Sequence, residues 1–473
     1  MANDHHTKRS PSINPERLKD FGEEEYLNGD IKTWEMKVVG CSETLLENAH
    51  DPTYQSANQS TSQSISGLLR FEDISAAAFK IHCGVQKTPC LYSRLSKQYG
   101  MDMYLKKEYL HYTGTVKERG VLYLLTALRQ DQQRKGVIVA SDSNFAMAVA
   151  YHATELHIPI FVIMSTNTCP MRGKMCREYG AMVILYGTTE KETQSHARRL
   201  AKENCYLYLE EEDSALYLAG LGTLGLEIYE QVPKLDAVIF PAGAHCGLLA
   251  GSAAALKHLN PHITVIGVEP ESFPILQQSL KMGKPVTDLV CSNQRFYGDL
   301  VASSLGTNAF HLTKKLVDKV LTVRDEELLL AMLRFLEYER ATVDAEGAVG
   351  LAAVLAGKLP ELKGKKVAIA ICSANMDLPT LHQCVDRGLT LDHRVCKFIV
   401  QLPDGSTELS KLVELLSREE ARAQEIQQEH LFVTSDLFTV KVTCTVATRE
   451  KGHATQVRNA LTERYPGIIW LER

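Results

Sequence analysis

The chain has 473 residues, a formal net charge of −5 and charged residues of both signs interspersed, enough length for large cores and about two to four domains. This balance argues against nucleic acid or an anionic membrane surface as a partner. The longest apolar runs, such as 137–140 and 158–164, have the length of buried strands, far short of the roughly 20 residues of a membrane span. Twelve cysteines without a CxxC pair or regular spacing indicate reduced thiols, not a disulfide frame or a zinc site, and with a polar N-terminus they imply a cytoplasmic protein. Cys169 and Cys176, flanking Pro170-Met-Arg-Gly-Lys, read as packing residues; no metal is expected.

Residues 1–68 are a polar arm ending in a serine- and glutamine-rich stretch. Such a composition buries too little apolar surface to offset its ordering entropy, so the arm is expected to be largely disordered, with a short docked strand at 31–40. From Phe71 the pattern alternates between helices and short apolar strands. A strand beginning at Tyr104 leads through a polar turn to a helix beginning at Lys117. Strands follow at 137–141, 160–164, 181–186 and 206–209, separated by helices at 144–157, after Pro170, and at 190–204. The second half continues with a helix at 221–233, a strand at 237–243, a helix at 248–259, and strands at 264–270 and 366–372. Short apolar strands separated by amphipathic helices imply parallel sheets with right-handed crossovers, the doubly wound α/β class.

After about Asp392 the pattern changes. A strand at 397–404, a helix at 407–423, a strand at 425–432, a strictly alternating strand at 438–446, a helix at 450–464 and a closing strand at 468–471 spell βαββαβ, a ferredoxin-like module.

Lys117 is the residue most suggestive of chemistry. The helix dipole is positive at a first turn and favours anions there, so a lysine is either solvated or held neutral and nucleophilic. The run Tyr112-Thr-Gly-Thr-Val-Lys117-Glu-Arg-Gly120 resembles the TGSFKxRGA segment of fold-type II pyridoxal-phosphate enzymes of the L-threonine/L-serine dehydratase group. Phe71-Glu-Asp-Ile and Lys87-Thr-Pro-Cys-Leu also resemble segments of that group, and the likeness runs in order from about residue 70 to the C-terminus. It implies two doubly wound parallel-sheet subdomains of the tryptophan-synthase-β-like type. The catalytic unit would be 69–392, with a small subdomain at about 105–205 inserted in the large one, and 393–473 would be an ACT-like module that binds a small effector or pairs subunits of a homo-oligomer.

The resemblance also assigns a site. Lys117 matches the Schiff-base lysine that holds pyridoxal 5′-phosphate. Gly243-Ala244-His245-Cys246-Gly247 stands where the family has four consecutive glycines around the phosphate; the three intruding side chains restrict positive φ. Ser141-Asp142-Ser143-Asn144-Phe145 corresponds to the S-x-G-N-H loop, with Asn144 toward the cofactor's 3′-oxygen and the others around the carboxylate of a small amino acid. Asp142 stands where racemases carry a serine and would repel a substrate carboxylate unless protonated. Ser373 in Cys372-Ser373-Ala-Asn375 matches the hydroxyl facing the pyridine nitrogen, and Glu346 lines the pocket. Phe296-Tyr-Gly-Asp replaces the family's ADG segment. The implied activity is an ammonia-lyase (dehydratase) reaction on L-threonine or L-serine. Alternatives are a catalytically impaired relative acting as a binding or regulatory protein and, third, a serine-racemase-like activity.

Overall fold

The structure, a computed structural model, describes residues 69–211, 213–287, 291, 294–302, 304–429 and 439–471. The arm 1–68 and its expected strand lie outside these residues. Four short apolar runs, β3 (Val137–Ala140), β4 (Ile160–Met164), β5 (Met182–Leu185) and β6 (Leu207–Leu209), form an all-parallel sheet in the order β5-β4-β3-β6. Helices return the chain between them, as parallel pairing requires; the helix Glu190–Asn204 is capped by the Thr189 hydroxyl, which accepts the Glu192 N–H.

A second, six-stranded sheet is ordered β1-β2-β10-β7-β8-β9, from β1 (Cys90–Tyr92), β2 (Asp102–Lys107), β7 (Ala237–Pro241), β8 (Thr264–Pro270), β9 (Lys319–Val323) and β10 (Lys366–Ile371). Only the edge pair β1 and β2 is antiparallel. β7 and β8 are buried on both faces, which accounts for their unbroken apolar sequences. The helix expected at 221–233 begins earlier, as Ala215–Gln231, because the Ser214 hydroxyl caps it by accepting the Tyr217 N–H.

The C-terminal strands β11 (Val395–Pro403), β12 (Arg422–Glu429), β13 (Thr439–Ala447) and β14 (Ile469–Trp470) form an antiparallel sheet in the order β12-β13-β11-β14. With the helices Ser406–Arg418 and Lys451–Arg464 this is a ferredoxin-like βαββαβ arrangement with its own core, including Phe398, Leu412, Val442, Cys444 and Leu461. The first helix ends at Arg418, short of the expected 423: Glu420 is left-handed (φ 55°) and Arg422 already pairs with Ala447. Among the described residues no helix is long and apolar enough to cross a membrane.

The loops that matter leave the C-terminal ends of parallel strands, where open α/β sheets place ligands. β2 leads to Lys117, β3 to Asn144, β7 to Gly243–Gly247 and β10 to Ser373.

Candidate active site

Lys117 is the first residue of the helix Lys117–Thr126. The loop before it is tied to the loop after β10: the Val116 N–H donates to the Cys372 carbonyl (2.9 Å), Thr115 bridges Ser373, and Asn375 Nδ2 donates to the Thr113 carbonyl (2.8 Å). Gly114 (φ +71°) is required in this turn, since a Cβ there would lie 2.7 Å from Asn375 Oδ1. The Glu118 carboxylate accepts both the N–H and the hydroxyl of Thr113 (2.5 and 2.6 Å). The lysine is therefore fixed from both sides of the turn.

Its amine is buried and donates to Glu211 Oε2 (2.7 Å) and Asp299 Oδ2 (2.8 Å). Burial disfavours the charge, but Asp299, Glu211 and Glu346 outweigh it and raise the amine above its ordinary range. Asp299 also accepts the Asn144 N–H (2.8 Å) and faces Arg172 Nη1 (3.3 Å); against its burial, Lys117 and Arg172 hold it below the usual carboxylate range. Tyr217, buried, donates to Glu211 Oε1 (3.2 Å).

Asn144 begins the helix Asn144–Glu155 and is fully buried. Its Oδ1 accepts from Asn375 Nδ2 (2.9 Å), which turns its Nδ2 into the site without any hydrogen-bond partner. Ser141 and Ser143 bond to each other (2.8 Å) and Ser143 caps the helix through the Phe145 N–H. Phe145 turns inward, edge-on to Tyr217. Asp142 is exposed and accepts from the Thr168 hydroxyl (3.1 Å).

Ser373 Oγ lies 2.5 Å from Asp344 Oδ2 and 3.0 Å from Glu346 Oε2. Burial, with repulsion from Asp299 and Asp344, pushes Glu346 up to about 8 despite the attraction of Lys117. The Asp344 carboxyl is raised by its burial, also against its hydrogen bonds.

The turn Gly243–Gly247 opens the helix Gly247–Leu259. His245 and Cys246 both adopt φ +61°, the conformation a glycine would take freely and that costs other residues roughly 1–2 kcal/mol. The Cys246 thiol donates to its own chain at the Ala242 carbonyl (3.3 Å). Gly243 has no room for a side chain without a backbone shift, since a Cβ would fall 2.3 Å from the Leu300 carbonyl oxygen. Two of the three residues that are not glycine thus hold the left-handed backbone that glycine favours.

Lys117, Asn144, Ser373 and Glu346, expected from sequence, are thus joined by one network through Asn375, Asp299 and Asp344. Sequence reasoning missed Glu211, Asp299, Arg172 and Asp344. The one available signal was the departure at Phe296-Tyr-Gly-Asp, whose aspartate is the lysine's partner. Among the described residues no group of three or more His, Cys, Asp or Glu side chains is placed to hold a metal ion.

A buried lysine and a buried amide donor without a partner, both on loops that leave the C-terminal ends of parallel strands, are what a lysine-linked cofactor requires. Residues 81–373, more than half of the chain, match the family described as "Pyridoxal-phosphate dependent enzyme", and the chain belongs to that family. Its cofactor is pyridoxal 5′-phosphate, which the residues present fit: Asn144 Nδ2 is a buried donor without a partner, and the 243–247 turn stands at the N-terminus of the helix Gly247–Leu259, an end that favours an anion. The L-threonine ammonia-lyase of Geobacter sulfurreducens is 32% identical over 82% of this chain and 96% of that protein. Threonine deaminase isoform 2 of Solanum lycopersicum superposes with a TM-score of 0.64 at 27% identity, covering 69% of this chain and 94% of that one. Maize serine racemase superposes with a TM-score of 0.63 at 29% identity, covering 69% and 99%.

Proposed function

We propose that this chain is a pyridoxal-phosphate-dependent ammonia-lyase that converts L-threonine or L-serine to the 2-oxo acid and ammonia. The observation that carries the reading is the buried Lys117 amine beside the unpartnered Asn144 amide, together with the named activity of its Geobacter relative. In this reading Lys117 anchors the cofactor, Asn144 Nδ2 meets its ring oxygen, the backbone of Gly243–Gly247 cradles its phosphate, and Ser373 faces its ring nitrogen. When bound, the cofactor supplies an electron sink for the pair left at the substrate's α-carbon.

The chain's own residues do the rest. Lys117 Nζ takes the α-proton, and Glu211 stabilises the ammonium so formed. The β-hydroxyl leaves as water, and hydrolysis of the unsaturated product consumes water and releases ammonia. Ser373, a neutral group in contact with Asp344 and Glu346, offers the ring nitrogen no fixed negative charge of its own, which suits elimination. A racemase needs an acid–base group on the opposite face; Asp142, the residue at that position, turns outward to Thr168, which favours the lyase.

The same reading makes 69–392 the catalytic unit and 393–473 an ACT-like module that binds a small effector or pairs subunits of a homo-oligomer, in a cytoplasmic protein. Support for a pairing role comes from Ile469 (59% exposed) and Leu471 (43%), apolar side chains in and beside the edge strand β14. The test is release of ammonia and 2-oxo acid from each amino acid by the cofactor-loaded chain. Release from either one supports the lyase; release from neither leaves the impaired, regulatory alternative.

A further inference from the structure

The N-terminus of the helix Asn144–Glu155 is the part of the site that an amino acid's carboxylate would seek, since it offers N–H donors and the positive end of the helix dipole. Its first three N–H groups are already satisfied from within the chain. Ser143 N–H donates to Ser141 Oγ (3.1 Å), Phe145 N–H to Ser143 Oγ (3.1 Å), and Asn144 N–H to Asp299 Oδ2 (2.8 Å). The first two acceptors are neutral hydroxyls of the turn itself. The third is a charged carboxylate brought in from a distant segment.

Asp299 does there what a bound amino acid's carboxylate would do. Its two oxygens span the helix N–H, the Lys117 ammonium (2.8 Å) and the Arg172 guanidinium (3.3 Å), and its side chain is 3% exposed. Beside it the Asn144 Nδ2 donor, fully buried, has no partner, so the same helix end carries one filled and one vacant polar position. Asp142, whose charge the sequence marks as a source of repulsion, is exposed and turned to Thr168; the anion that a substrate meets is Asp299. The residue sits in the short turn Gly298–Leu300, entered through Gly298 in the left-handed region (φ +53°), with the Leu300 carbonyl against Gly243. Displacing Asp299 therefore also moves the wall of the turn that faces the 243–247 loop.

We propose that Asp299 is a specificity-determining residue that occupies the subsite of the substrate's carboxylate in the ligand-free protein, so that an amino acid binds by taking its place. The proposal rests on the reading of the site as one for an amino acid. It makes the affinity for carboxylates a competition between an internal anion and an external one, with Arg172 and the Asn144 N–H as the shared prize.

The experiment compares the full chain, with and without pyridoxal phosphate, as wild type, Asp299→Asn and Glu211→Gln. Propionate is the anionic probe and propylamine, which lacks the carboxylate, its control; binding is read by calorimetry. Asp299→Asn is expected to bind propionate at least ~10-fold more tightly than wild type, with no gain for propylamine. Glu211→Gln, which removes the lysine's other carboxylate but leaves the Asn144 N–H occupied, is expected to stay near wild type. No gain in Asp299→Asn, or an equal gain in Glu211→Gln, overturns the proposal. Asp299→Ser, read in the same way, guards against a local effect of the amide. If both Asp299 variants fail to fold, the residue is a structural neutraliser of Lys117 and Arg172 and the proposal falls. Failure of the lyase reading shows separately, as absence of ammonia release by the loaded wild type with the propionate result intact.

Discussion

Replacing Asn144 with alanine separates stability from cofactor binding. Without cofactor the asparagine makes one favourable side-chain contact, accepting from Asn375 Nδ2 (2.9 Å), and carries one buried donor with no partner. Losing the hydrogen bond costs about 1 kcal/mol, while removing an unsatisfied buried donor returns about 1–3 kcal/mol. Asn375 Nδ2 keeps its bond to the Thr113 carbonyl (2.8 Å). The net effect lies between neutral and a gain of ~2 kcal/mol, so the cofactor-free protein should lose no stability. In the loaded protein the variant lacks a hydrogen bond to a charged ring oxygen, about 1.5–3 kcal/mol, or roughly 10- to 150-fold in cofactor affinity. Urea unfolding without cofactor and titration with pyridoxal phosphate measure the two quantities independently. A loss of several kcal/mol in the cofactor-free protein, or wild-type cofactor affinity, refutes the reasoning.

Further outcomes follow from the neighbouring loops. Gly243→Ala places a Cβ 2.3 Å from the Leu300 carbonyl oxygen, and the forced backbone shift should cost about 1–3 kcal/mol in unfolding assays and weaken cofactor retention on gel filtration. His245→Gly removes a side chain from a φ of +61° and should raise the urea midpoint, by up to ~1 kcal/mol in stability, and leave the cofactor bound at least as tightly. Glu346 is raised from 4.5 to about 8. Between these values the unfolded state has lost a proton that the folded state keeps, so stability falls as pH rises through that window and is level above it. Glu346→Gln should therefore gain stability relative to wild type progressively from about pH 4.5 to about pH 8, by on the order of 1 kcal/mol or more; a difference that does not vary with pH contradicts the assignment.

Much of the fold was legible because its strands are short, apolar and bounded. β8 appears at 264–270 as its sequence indicated, and the alternation that marked 438–446 became the inward set Val440, Val442, Cys444 and Val446. These are local patterns that register and burial preserve. Helix ends were less legible where a cap decides them: Ser214 starts a helix whose Ala215, Leu216, Tyr217 and Leu218 precede the expected beginning, and the left-handed Glu420 stops another inside a continuous polar pattern.

In the site, Lys117 and Asn144 could be read because each stands at the start of a helix within a recognisable run. The residues that set the lysine's charge could not. Glu211, Asp299 and Arg172 come from three separate segments and meet only through long-range packing, and no spacing along the chain brings them together. The glycine loop shows the converse. Its sequence departs from four glycines, yet the backbone at His245 and Cys246 is left-handed, and Gly243, set against the Leu300 carbonyl, leaves no room for a side chain.

The central claim is that Lys117 holds the cofactor in a working site. The most direct measurement is the visible and near-ultraviolet absorbance of the purified chain after incubation with pyridoxal phosphate, with Lys117→Ala beside it. A band in the wild type that is absent from Lys117→Ala and changes on adding L-threonine or L-serine is the expected result. A wild type that shows no band with excess cofactor would contradict it.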